Sequence, residues 1–285
     1  MRKTRVSIII CSRSRNISFE LELNIRETAG FEYDLIVLDN SKNDLSIFQA
    51  YNQGIEKSKA EVICFVHEDV LFHTKNWVSI LVDLFERDEN LGIIGIAGSQ
   101  IKTKSPSGWW NCPEPYRSAN LIQHLDQGRK EHWNYGFNDK KLSQMVVVDG
   151  VFMALRRNSE IRFNEALSGF HHYDLSICLD YSRIGYDIMV TNQILIEHFS
   201  LGNLDRNWSK SAIEFEKIYS KSLPVRTHEI SEKALDRLEY ANRFIFIEKL
   251  LSYKMFDLAF EQWMKLIQIK PLSRQNFLIL KSIFK

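Results

Sequence analysis

The chain has 285 residues, 45% of them hydrophobic and 26% charged, with a net charge of +1. That length suits one large domain or a domain with a small appendage, and the composition is that of an ordinary globular protein. A net charge so near zero argues against nucleic acid as a partner.

The N-terminal stretch "MRKTRVSIIICSR" carries basic residues, but its apolar run is too short for a signal peptide. Within it Val6–Cys11, "VSIIIC", reads as a buried strand. A helical stretch from Ile17 to Thr28 follows, then a second buried strand in "DLIVLDNS" (Asp34–Ser41). Asp44 to Lys57 is helical, with apolar positions at Leu45, Phe48 and Ile55. "EVICFVHEDV" predicts a third strand, Asn76–Glu89 a helix, and "LGIIGIAG" a fourth strand. Strands apolar at their centres and alternating with helices argue for an α/β fold, a parallel sheet covered on both faces.

Between Gln100 and Gln144 the pattern dissolves into a long loop containing "SPSGWWNCPEPY", with three of the five prolines and two adjacent tryptophans. Such loops are functional or mobile. Regularity returns at Met145–Arg157, strand-like on both sides of Asp149-Gly150, then a helix in "HHYDLSICLDYSRIGYD" and a last strand region ending at His198. From Lys210 the chain is helical, and Leu250–Pro271 has the spacing of a single helix-turn-helix pair. This tail holds 14 Lys and Arg against 9 Asp and Glu, leaving 23 against 27 before it. A basic tail on an acidic body points to an anionic partner such as a membrane surface, or to a solvated helical face. No apolar stretch has transmembrane length. None of Cys11, Cys64, Cys112 and Cys178 forms a C-x-x-C pair, so reduced thiols and a cytoplasmic location are expected.

Three polar groups fall at the C-terminal ends of strands: Ser12-Arg13, Asp39-Asn40-Ser41 and His67-Glu68-Asp69. In an open α/β sheet, that edge binds ligands. Adjacent carboxylates at a strand end need a cation between them, so Asp69 is a candidate ligand for Mg2+ or Mn2+ bridging a diphosphate, or one half of an ion pair. His198 or His67 can add an imidazole and bias the site toward Mn2+. Asp174 begins a helix beside His171 and His172; it is either a cap or a general base taking a proton from a hydroxyl. Asp39 can hold a base or ribose, or close a turn with Ser41. Trp109 and Trp110 can stack on a sugar or plug a core edge. No P-loop, G-x-G-x-x-G, zinc spacing or Ser-His-Asp signature occurs.

"VSIIICSR", "DLIVLDNS", "AYNQGIEKSKAEVICFVHEDV", "VDGVFMALRR" and "GFHHYDLSICLDYSRIGYD", in this order, resemble the GT-A glycosyltransferases, nearest the family 2-like proteins of the streptomycin-biosynthesis type. The resemblance runs from about Val6 to Gly202. It implies a GT-A, Rossmann-like, mostly parallel sheet flanked by helices at 1–209, with a helical extension at 210–285. It also implies a hexosyltransferase-like enzyme that moves a sugar from a nucleotide donor to a hydroxyl acceptor with inversion, in surface-polysaccharide or glycoconjugate synthesis. The donor is expected to be a UDP-sugar ahead of GDP or dTDP, with peripheral membrane association through the tail. By the same resemblance Cys11, Ser12, Arg13 and Asp39 hold the nucleotide, and Ser41, Asn52 and Glu68 are expected beside them. Asp69 then holds the metal, with His67 standing where the family's first Asp usually is; His198, placed by its strand end, competes for the same role. Asp149-Gly150 matches the family's loop before the acceptor site and Asp174 its base; Trp109, Trp110, His171 and His172 are expected on the acceptor side beside them. Ser176 stands where many relatives carry a second acid. A non-catalytic nucleotide or sugar binder with a partner-binding tail is the alternative. A nucleotidyltransferase would need a Gly-rich basic loop, and "CSRSRNIS" has no glycine.

Overall fold

The computed structural model describes residues 5–202, 204–228 and 230–283. Strand β1 (Val6–Ser12) is buried along nearly its whole length between two parallel neighbours, β2 (Tyr33–Asp39) and β3 (Val62–Val66). Helices α1 (Phe19–Thr28) and α2 (Ile47–Lys57) make the crossovers. Each begins at a serine: Ser18 Oγ accepts the Leu21 N–H, and Ser46 closes a capping box with Gln49. These caps set the helix starts two or three residues after the positions expected from periodicity alone.

After β3 come β4 (Val70–Phe72), α3 (Trp77–Arg87), β5 (Leu91–Gly95), β6 (Ala97–Ser99) and β7 (Ile101–Lys102). The segment expected to be a long loop holds an antiparallel pair instead, β8 (Arg117–His124) and β9 (Lys130–Tyr135). Then follow β10 (Leu142–Met145), β11 (Val147–Val148), β12 (Phe152–Arg156), α4 (Tyr173–Arg183), β13 (Asp187–Thr191) and β14 (Ile196–His198).

Seven strands form one sheet in the order β10-β13-β5-β12-β3-β1-β2. Five of them run the same way; β12 is antiparallel to both its neighbours, and β10 is antiparallel to β13. A second sheet has the order β11-β6-β8-β14-β4, with β9 added to β8. The chain passes straight from one sheet to the other at four points among the described residues. These are β3 to β4 through His67–Asp69, β5 to β6 through Ile96, β10 to β11 through Val146, and β11 to β12 through Asp149–Val151. The "EVICFVHEDV" segment, expected as one strand, is therefore split between sheets at its polar centre.

Beyond β14, helix α5 (Arg206–Ile218) leads to β15 (Val225–Arg226), which pairs with β7, and then to α6 (Glu232–Ser252), α7 (Phe256–Ile269) and α8 (Arg274–Ile283). The turn between α6 and α7 falls inside the expected helix pair. Helix α5 belongs to both cores. Its Phe215 packs into the main core and its Trp208, Ala212 and Ile213 into the tail's own. A boundary at 209/210 falls inside this helix.

The tail is also stapled to the segment after β7. The buried Glu239 carboxylate on α6 accepts the backbone N–H of Lys104 and of Ser105, the latter at 2.9 Å, and the Ser105 hydroxyl at 2.6 Å. Asn242 adds a hydrogen bond to Thr103 Oγ1 at 2.9 Å. Removing the carboxylate strands these donors, so Glu239→Ala should cost about 2–4 kcal/mol of stability. Denaturant unfolding checks this, and an unchanged midpoint would mean the segment is held elsewhere.

Candidate active site

Where β3 leaves the first sheet, its backbone still finds partners: His67 N–H donates to Val151 O at 3.1 Å, and Asp69 O accepts Phe199 N–H at 3.0 Å. The side chains of this junction are thereby aimed rather than free. Glu68 turns back to β1, accepting Ser12 Oγ at 2.7 Å, Arg13 Nε at 2.6 Å and Arg13 N at 3.2 Å. It pins the end of β1 and neutralises Arg13.

His67, Asp69 and His198 form the one group among the described residues whose ligand atoms lie together as a metal site requires, all within 4.8 Å of one another. Second partners fix which nitrogen of each ring is available. Gln123 spends its amide N–H groups on the carbonyls of His124 and Ser200, both at 2.8 Å. Its oxygen therefore accepts from His198 Nδ1 at 3.0 Å, leaving His198 Nε2 with a lone pair 3.6 Å from Asp69 Oδ1. Tyr173 donates its hydroxyl hydrogen to Gly150 O at 3.0 Å, so His67 Nε2–H donates to the Tyr173 oxygen at 2.7 Å. His67 Nδ1 is left facing Asp69 at 3.8 Å.

Burial and the neighbouring His198 lower the His67 pKa, which keeps that ring neutral. Burial opposes ionisation of Asp69, yet His198, Ser200 and His67 together hold its carboxyl below the ordinary carboxylate range. Two imidazoles and a carboxylate, all presenting acceptor atoms to one point, suit a divalent cation. Both histidines raised as alternatives fit this set.

Two cavities meet here. The larger, about 560 Å3, is lined by Cys11, Ser12, Arg13, Asn40, Ser41 and Asp69 among others. The smaller, about 130 Å3, is walled by Trp109, Trp110, His171, His172 and Trp208, with Asp149, Gly150 and Asp174 at its polar end. His67, Phe170, Tyr173 and Gly202 line both.

Asp174 lies in the first turn of α4, accepting Leu175 N–H at 2.9 Å and Gly150 N–H at 3.0 Å. Burial and the Asp149 charge push its pKa up to about 7, outweighing those two donors. Asp149 itself is engaged by Trp109 Nε1 at 2.6 Å and Val151 N–H at 2.8 Å, so it anchors the tryptophan segment. Gly150 is required by close approach: a Cβ there would sit 2.2 Å from the Tyr173 hydroxyl. His172 is buried against Phe215 and Trp208, with Nδ1 3.0 Å from Ser211 Oγ.

One expected nucleotide contact lies elsewhere. Asn52 is buried in α2 and spends its amide on Phe163 N–H and C=O, both at 2.9 Å, and on Glu165. It clamps a loop and does not line the cleft. Asp39 is exposed and closes a turn on Ser41 N–H at 2.9 Å, while Asn40, Ser41 and Asn43 form the wall there. Gln123, Tyr173, Trp208 and Ser211 went unforeseen. Tyr173 is flanked by two predicted site residues, and that adjacency was its only signal. Gln123 lay in the supposed loop, and the α5 pair lay beyond the last strand.

A family model described as "Glycosyltransferase like family" matches residues 7–222. A protein of Fuscovulum blasticum, "ATP synthase subunits region ORF 6", is 23% identical over 230 residues, 76% of this chain and 85% of that one. A crystal structure of GalNAc-T7 with UDP, GalNAc and Mn2+ has a similar fold, with a TM-score of 0.50 at 10% identity. The match covers 75% of this chain and 48% of that one, so this chain spans about half of that structure. That likeness extends to the GT-A fold alone.

Two imidazoles favour Mn2+ over Mg2+, which prefers an all-oxygen shell. Calorimetric titration should show tighter Mn2+ binding, weakened about 10–100-fold by Gln123→Leu, which releases His198 without removing a ligand. Indifference to that change would remove His198 from the set. Asp174 has its folded-state pKa raised, so its stabilising contribution is complete below about pH 4 and lost as pH rises through about 7. In metal-free protein the unfolding midpoint of Asp174→Asn, relative to wild type, should therefore climb across that window. A flat difference would mean Asp174 titrates as an ordinary carboxylate.

Proposed function

We propose that this chain, which belongs to the glycosyltransferase-like family, transfers a sugar from a nucleotide donor to a hydroxyl acceptor with inversion, as a hexosyltransferase-like enzyme. The observation that supports this reading best is the meeting of the two cavities at His67 and Tyr173, with Asp69 facing one and Asp174 the other. A donor lying across Ser12, Arg13 and Ser41 would present its diphosphate to Asp69. An acceptor between the tryptophans would bring its hydroxyl to Asp174. The same juncture would hold both groups in line.

His67, Asp69 and His198 would hold a divalent cation, Mn2+ ahead of Mg2+. When bound, such an ion neutralises charge on a departing diphosphate. The chain's own residues do the rest. Asp174, with a pKa near neutrality, is suited to take the acceptor proton. The acceptor oxygen then forms its bond to the anomeric carbon as the bond from that carbon to the diphosphate oxygen breaks. Gly150 N–H and Leu175 N–H orient the Asp174 carboxylate. Glu68 keeps Arg13 at the cleft's rim.

A UDP-sugar as donor, a role in surface-polysaccharide or glycoconjugate synthesis, and the streptomycin-biosynthesis-type branch belong to the same proposal. So does a cytoplasmic location, supported by four free cysteines. The catalytic unit would be 1–209 and the helical extension 210–285, sharing α5. The neighbour's UDP and Mn2+ agree with the donor and metal proposed here.

Asp174→Asn should bind donor as wild type does and lose transfer by about 100-fold or more. Wild-type kcat/KM should rise with pH and level off above about 7 as the carboxyl ionises. Transfer assayed against donor binding tests both. A variant that still transfers would remove Asp174 as the base. A wild type that binds donor and never turns it over would favour the non-catalytic binder.

A further inference from the structure

Helix α7 buries Ala259, Gln262 and Leu266 on one side. It then turns a second apolar stripe to solvent: Phe256, Phe260 and Met264, four residues apart, are 40%, 39% and 42% exposed. The neighbouring turn and helix extend this exposure, with Leu272 at 95%, Phe277 at 61% and Leu278 at 52%. Isolated surface apolar residues need no explanation, but six on two successive helices and their connection do. The charge of the same segment leans one way. From Phe256 to the end of the sequence there are five Lys and Arg against Asp257 and Glu261, and no acid follows Glu261. Lys281 lies over the Phe277 ring at 5.4 Å, so cation and apolar surface are interleaved.

We propose that the outer face of α7 and α8 docks on an anionic lipid surface, with the phenylalanine and leucine side chains entering the interfacial layer and Lys270, Arg274 and Lys281 meeting lipid phosphates. Interfacial helices combine these two features, and each cation near the surface adds to binding. The part of the face after Glu261, with Leu272, Phe277 and Leu278 among Lys270, Arg274 and Lys281, carries no acid and so suits an anionic layer better than a second copy of the chain. A two-fold interface centred there would lay that part on itself and bring like charges together. The helices lie on the surface: no helix among the described residues is long and apolar enough to cross a membrane. This inference stands independently of the transfer reaction.

The test is flotation of the full chain with vesicles of phosphatidylcholine, with and without phosphatidylglycerol. Binding should require phosphatidylglycerol and weaken as salt is raised. The triple change Lys270→Glu, Arg274→Glu and Lys281→Glu should weaken it about 100-fold or more. The pair Leu272→Ser and Phe277→Ser, both at exposed positions that contribute little packing, should weaken it about tenfold or more. Circular dichroism confirms that each variant is folded. Failure to float with either vesicle would overturn the proposal, as would binding that ignores both sets of changes. A dimer abolished by Leu272→Ser and Phe277→Ser, without vesicle binding, would assign the face to a second copy instead.

Discussion

The structure depends on a chain that changes sheets without leaving the core. At four places among the described residues a strand of the seven-stranded sheet runs directly into, or out of, a strand of the second sheet. Regular ladder pairing stops at such a seam, and backbone groups there need other partners. The seam meets this need with polar side chains and cross-sheet backbone bonds, as at His67 N–H with Val151 O. It therefore concentrates titratable groups where hydrophobic strands would otherwise allow none. Position and chemistry have a single origin.

That origin also explains why neighbouring carboxyls behave in opposite ways. Asp69 faces two imidazoles and stays ionised, whereas Asp174 faces Asp149 in a buried pocket and is raised toward neutrality. Pairs of acids pushed apart in this manner separate one role from another: one carboxyl suited to hold a cation, the other suited to accept a proton. Tyr173 keeps the two apart physically. It reaches His67 on one side and the Gly150 carbonyl on the other, and the glycine leaves room for it.

Much of this was legible in the sequence, and the failures share one cause. The β-branched runs of β1, β2, β3 and β5 declare buried strands, and polar residues at their ends declare an edge. Strand direction is not local, so nothing in "VFMALRR" announces that β12 runs against β3 and β5. The sequence of the β8–β9 pair reads as loop because β9 is an exposed edge whose side chains are mostly polar. His67 and His198 could each be placed at a strand end. Only the β4–β14 pairing brings those ends together. Asn52 shows the reverse error: it resembles a cleft residue by position, but its partner Phe163 lies 111 residues away.

The staple from α6 to the segment after β7 links two distant parts of the molecule. Five residues beyond Thr103–Ser105, the same segment delivers Trp109 and Trp110 to the small cavity, and α5 contributes Trp208 to its wall. The cation cluster, by contrast, is assembled wholly from residues before α5. Divergence among descendants of this chain can thus proceed at two speeds. Changes in the C-terminal helices would reshape the aromatic enclosure while leaving the group of His67, Asp69 and His198 untouched. Grafting the tail of one such protein onto another would carry part of that cavity's wall along with it.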